Sequence, residues 1–162
     1  MLFRSEIGAG AARRRDPLAC VALTPSPEGL RLEDAATDDA VVRVAEQLGG
    51  VLQRTGRASD AVGRLGPTEF AIVAAATEAA GAERLAERVR EAMDAEHMVI
   101  PRGADGAARV RIRAGYYAVP DFAESAVDAV EMLVRAAAAL RQGAGQGGTL
   151  HAPIQAFAGV RS

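Results

Sequence analysis

Two periods alternate along the chain. Leu18 to Leu23 is an unbroken apolar run with Pro17 before it and Thr24-Pro25-Ser26-Pro27 after it, which predicts a buried strand ending near Thr24. Two prolines and Gly29 predict a loop over 25–37. Val41, Val42, Ala45, Leu48, Val51 and Leu52 then recur at helical spacing, so an amphipathic helix is expected from Asp39 to about Arg54. Asp38 and Asp39 suit its positive N-terminal end, and Gly49-Gly50 allows close packing or a bend. Ala61 to Leu65 and Glu69 to Ala74 read as strands around a tight turn at Gly66-Pro67. A turn at 77–81 precedes a helix over 82–95, whose inward stripe is Leu85, Ala86, Val89 and Met93. Arg84, Glu87, Arg88 and Glu91 fill its other positions.

Strands are expected at 98–101 and 108–119, joined by a turn with an Asp105-Gly106 hairpin signal. Arg109, Arg111 and Arg113 alternate with Val110 and Ile112, predicting one wet face. A helix starting within 121–126 runs to about Arg141, and 149–154 is a candidate last strand. The order β-α-β-β-α-β-β-α-β predicts an α/β sandwich, a central mixed sheet with helices packed around it.

At 162 residues one domain is expected, placed at 17–154 between an N-terminal lead-in (1–16) and a C-terminal tail (155–162). No apolar run reaches the ~20 residues of a membrane span, and nothing near Met1 resembles a signal peptide, so a cytoplasmic location without membrane contact is expected. The net charge of −2 argues against nucleic-acid binding. Lone Cys20, in an apolar run, reads as a buried reduced thiol. Tyr116 and Tyr117 read as packing residues with satisfied hydroxyls. The chain has neither lysine nor asparagine, which excludes mechanisms needing either side chain; all basic residues are arginines.

The stretch from Arg57 to Phe70 carries the most specific pattern. Arg57-x-x-Asp60, Arg64-Leu65-Gly66, Glu69-Phe70, Ala71-Ile72-Val73 and Ala86-Glu87-Arg88-Val89-Arg90 together resemble the GGDEF domain of diguanylate cyclases. The resemblance covers about Leu18 to Leu150. It implies a nucleotidyl-cyclase-like sandwich whose relatives make cyclic di-GMP from two GTP with two divalent cations. Against that pattern, Thr24 stands where the first strand ends in an aspartate. Pro67 replaces the second signature glycine, and Thr68 the signature's acidic metal ligand. Asp38 matches a guanine-reading aspartate, its asparagine partner is missing, and the phosphate-binding lysine falls on Ala144. On these positions the expectation is that cyclase activity is lost, that the chain is not an enzyme, and that no magnesium or other cofactor is bound.

The resemblance also places Arg57 and Asp60 in a product-inhibition site, with Arg84 and Arg88 as added arginines. The residue types suit it. An arginine can donate twice to guanine O6 and N7, and a carboxylate can accept from guanine N1 and N2. The bland alternative is an Arg57–Asp60 ion pair at a turn, with Arg84 and Arg88 paired to Glu87 and Glu91 on a solvated helix. The expected function is a cyclic di-GMP receptor acting on a protein partner or a second copy of itself. The alternatives are a nucleotide-independent interaction scaffold and, third, residual cyclase activity.

Overall fold

The computed structural model describes residues 15–28, 38–142 and 155–156. Its elements are β1 (Leu18–Pro27), α1 (Asp38–Thr55), β2 (Ala61–Arg64), β3 (Phe70–Ala75), α2 (Ala79–Ala95), β4 (Val99–Arg102), β5 (Gly106–Val119), α3 (Ala129–Gln142) and β6 (Gln155–Ala156). The order of elements is the expected one. The sheet runs β2-β3-β1-β5-β4 with antiparallel neighbours, and β6 adds a short parallel pair to β5 at Gly115 and Tyr116.

β1 lies at the centre and is covered on both faces, which is why its sequence is a continuous apolar run. Ala19, Val21 and Leu23 enter the larger core with Val44, Leu48 and Leu52 of α1 and Leu85, Val89 and Met93 of α2. Cys20 and Ala22 enter the opposite core with Met132, Ala136 and Leu140 of α3. Cys20 is fully buried and burial pushes its thiol up to about 11, as an unreactive packing residue requires. β1 extends past Thr24 to Pro27. Its pairing with β3 stops at Leu23–Phe70, whereas its pairing with β5 continues to Pro27–Val110. Pro25 and Pro27 thus fall where β1 has lost one neighbour, so their missing N–H groups cost no ladder bond on that side.

Two expected boundaries shift for local reasons. α2 begins at Ala79, taking in half of the expected turn. A Cβ at Gly81 would sit 2.8 Å from Thr77 Cγ2, so glycine lets this first turn close onto the strand end. α3 begins at Ala129, later than the expected 121–126. Before it, Asp121 Oδ1 accepts from Ala123 N (3.1 Å), Ser125 Oγ from Val127 N (3.1 Å) and Asp128 Oδ1 from Glu131 N (2.8 Å). These side chains offer the backbone local bonds in place of helix, and Asp128 caps the helix that follows. The expected strand at 149–154 lies outside the described residues, and Gln155-Ala156, expected in the tail, pairs with β5. The wet face of β5 is also less wet than expected. Arg113 is half-buried and donates to Leu140 O (2.6 Å), while Arg111 pairs with Glu28 and Asp94.

α3 approaches the sheet at Gly115. A Cβ there would overlap the main chain of Ala139 and Leu140, so only glycine admits the helix at this spacing. Tyr116 donates to Glu83 Oε1 (2.6 Å), and Arg135 donates to the Tyr117 hydroxyl (3.0 Å) while covering its ring. Both tyrosines are packed and satisfied, as expected. No described helix is long and apolar enough to cross a membrane.

Candidate functional site

The hairpin β2–β3 has a base and a tip, and the two differ in how their polar groups are used. At the base, α1 ends and the chain turns through 57–60. Asp60 N donates to Arg57 O (3.0 Å) and Arg57 N donates to Asp60 Oδ2 (2.9 Å). Asp60 therefore anchors the corner through the main chain of Arg57, leaving the guanidinium out of the bond. No Arg57–Asp60 ion pair forms, and Asp60 Oδ1 is buried without a partner. Such an orphaned carboxylate oxygen costs about 1–3 kcal/mol in an empty fold and marks a place where a donor is wanted.

That corner opens onto a cavity of about 610 Å³, within the range of small-molecule sites. Its wall is the start of α2, from Glu78 through Gly81, Arg84 and Leu85 to Arg88 and Glu91. Arg57, Asp60, Arg84 and Arg88, the four residues singled out from the sequence, all line it. Arg84 and Arg88 are brought to one face by their four-residue spacing, beside the buried stripe Leu85, Val89 and Met93. Glu87, the expected partner of an arginine here, instead pairs with Arg90 at 3.2 Å. Arg57, Arg84 and Arg88 are exposed and make no side-chain hydrogen bond or ion pair with any described residue. The cavity also holds Glu91 of α2, and Thr77, Glu78 and Gly81, which motif reading missed because they carry no pattern of their own.

At the tip the polar groups are consumed internally. Leu65 N and Gly66 N both donate to Glu69 O (2.8 and 3.3 Å) and close the turn. Arg64 donates to Pro67 O (2.9 Å) and lies over the Phe70 ring at 5.2 Å. Thr24 Oγ1 donates to Thr68 O (3.3 Å), tying β1 to the turn. Glu69 faces Arg141 of α3 at 3.6 Å. Asp38 is exposed in the first turn of α1, and Ala144 lies outside the described residues. No group of three or more His, Cys, Asp or Glu that could hold a metal exists among the described residues.

The sandwich defines a nucleotidyl-cyclase-like class, and comparison with known proteins narrows it. The sequence model of the family described as "Diguanylate cyclase, GGDEF domain" matches residues 34–149. The chain belongs to the GGDEF domain family and is homologous to diguanylate cyclases. Solved structures share its fold. The GGDEF domain of DgcB from Caulobacter crescentus, in complex with c-di-GMP, has a TM-score of 0.68 at 15% identity over 88% of this chain and 78% of that one. The active GGEEF domain of a diguanylate cyclase from Vibrio cholerae has a TM-score of 0.66 at 19% identity over 88% and 84%. The diguanylate cyclase SiaD from Pseudomonas aeruginosa, in complex with its activator SiaC, has 0.63 at 20% over 81% and 47%. No curated protein sequence matches significantly.

The expectation that the chain is not an enzyme is corrected by this match. The family is one of diguanylate cyclases, and the fold is shared with a domain described as active. The expectation treats Thr24 and Thr68 as lost carboxylates, as though the protein had to supply every charge. Magnesium in nucleotide sites is commonly held by one or two carboxylates plus substrate phosphates and waters, so those two threonines do not by themselves remove the cation.

Proposed function

We propose that this GGDEF domain binds cyclic di-GMP in the cavity at the hairpin base and passes its occupancy to a protein partner or a second copy of the chain. The supporting observation is the convergence of Arg57, Asp60, Arg84 and Arg88 on one cavity, with three guanidiniums unpaired and one carboxylate oxygen orphaned. Guanine supplies what each lacks. O6 and N7 accept from an arginine, and N1 and N2 donate to Asp60. The two phosphates of the dinucleotide pair with the remaining arginines. Cyclic di-GMP is present in the DgcB complexes, and a protein activator in that of SiaD. Under this reading the ligand is the product of the family's own reaction, so the site reports product level.

Calorimetric titration of the purified chain with cyclic di-GMP tests the proposal. Saturable binding is expected, weakened about 10- to 100-fold by Arg57→Ala, the worth of one bidentate guanine contact. No binding up to roughly 50 µM, a free energy near −6 kcal/mol, would sink it. A second reading, a nucleotide-independent interaction scaffold, draws support from β2, an edge strand exposed throughout, with Val62 and Leu65 open to solvent. Partner capture insensitive to both the dinucleotide and Asp60→Ala would favour it.

A further inference from the structure

The inner face of α3 is used up by the fold, whereas its outer face is apolar in the middle and charged at the ends. Met132, Ala136 and Leu140 pack inward with Cys20 and Ala22 of β1. On the other side, Val130, Val134, Ala138 and Arg141 follow one another at spacings of four, four and three, one stripe of a helix. Val130 and Val134 are 69% and 56% exposed, Val130 being the most exposed large apolar side chain among the described residues. Two valines one turn apart on a firmly seated helix leave apolar area in water that a partner could cover. The charges bordering the stripe are sorted by sign. Glu131 lies in the first turn of α3 and Arg141 in the last. Both have room to take a new partner. Glu131 is half-exposed and accepts from Arg135 one turn along its own helix (2.9 Å), and Arg141 lies 3.6 Å from Glu69, too far for a hydrogen bond.

We propose that the outer face of α3 is a self-association surface on which α3 of a second copy packs antiparallel. The sorted charges select both this occupant and this direction. A two-fold axis centred between Val134 and Ala138 sets each Val134 against the second copy's Ala138, whose single methyl group permits close approach. The same axis sets each Arg141 against the second copy's Glu131, so both ends of the seam join opposite charges. A parallel pair would oppose like charges at both ends. The helix dipoles favour the antiparallel direction as well. The 14 residues of α3 span roughly 21 Å, so one such seam covers less than the ~800 Å² per partner of a standard interface, and the dimer is a weak one. This surface lies outside the cavity at the hairpin base, and association through it needs no cyclic dinucleotide.

The test is sedimentation of the purified chain from about 5 to 500 µM without nucleotide, a range that reaches weak dimers. A reversible monomer–dimer equilibrium is expected. Val134→Glu should weaken it about tenfold or more, because the two-fold axis places the uncompensated charge in the seam twice. Val99→Glu, at an exposed valine on the edge strand β4, makes the same change in charge and should leave the equilibrium near that of the parent. Glu131→Arg and Arg141→Glu should each weaken self-association about fivefold, since each makes both ends of the seam repulsive. An equimolar mixture of these two variants should dimerise about as well as the parent, because every end contact between them is again of opposite sign. The proposal is overturned if the chain stays monomeric at the highest concentration, or if Val134→Glu behaves like Val99→Glu. It is also overturned if the mixture associates no better than its components. A dimer that forms only with cyclic di-GMP overturns it too, and would assign association to the cavity. Circular dichroism of each variant checks that lost association is not a folding defect.

Discussion

The tip and the base of one hairpin are separated by the four residues of β2, yet they spend their polar groups in opposite ways. At the tip, Arg64, Thr24, Glu69 and the turn amides all find partners inside the protein. At the base, Arg57, Arg84 and Arg88 face a cavity unpaired, and Asp60 keeps one oxygen for a donor the fold does not provide. Both stretches were conspicuous in the sequence. What separates them physically is unused bonding capacity, and a ligand gains most where the protein has left groups unsatisfied. The buried orphan at Asp60 is answered only by a donor.

The largest expected effect comes from removing the platform that brings α3 to the tip. Gly115→Ala drives a methyl group into the Leu140 main chain, which cannot rotate away, and should destabilise the fold by about 3 kcal/mol or more in urea titration. A loss below about 1 kcal/mol would mean that α3 slides freely and that its contact with the tip is incidental. Next in size is the base. Arg88→Ala should weaken cyclic di-GMP by about tenfold while leaving the unfolding midpoint nearly unchanged, since the guanidinium supports nothing else. Arg64→Ala should do the reverse. It forfeits the Pro67 bond and the Phe70 stacking, costing about 1 kcal/mol of stability with no change in dinucleotide affinity.

A pH dependence arises away from both regions. Burial, helped by the Glu83 hydrogen bond, pushes Tyr116 up to about 12. Its folded value exceeds its unfolded value near 10, so its contribution is complete below pH 10 and disappears as pH rises from 10 through 12. Ultraviolet titration of tyrosinate should show one residue ionising near pH 12, and Glu83→Gln should bring that transition down.

The fold was legible because it rests on local patterns. The unbroken run of β1 announces a strand covered on both faces, and the stripes of α1 and α2 announce one-sided helices. The start of α3 was illegible because Asp121, Ser125 and Asp128 compete for the backbone, and a count of apolar spacing does not see side-chain bonds. At the base, a motif and a helical spacing singled out four residues that line one cavity. The cavity's other polar members stayed hidden because Thr77 and Glu78 reach it only through the strand-to-helix turn. At the tip, Arg141 could not be foreseen. Its approach to Glu69 depends on α3 seating against Gly115, a tertiary fact. The expectation of lost catalysis failed for a related reason, since it counted carboxylates in a motif and left out the oxygens a nucleotide brings.

Hydrogen exchange with and without cyclic di-GMP compares the two regions in a single measurement. The account predicts slowed exchange at 57–60 and in the first two turns of α2, with 65–70 at the tip unchanged. Protection confined to the tip, or absent from both regions at saturating ligand, would contradict it.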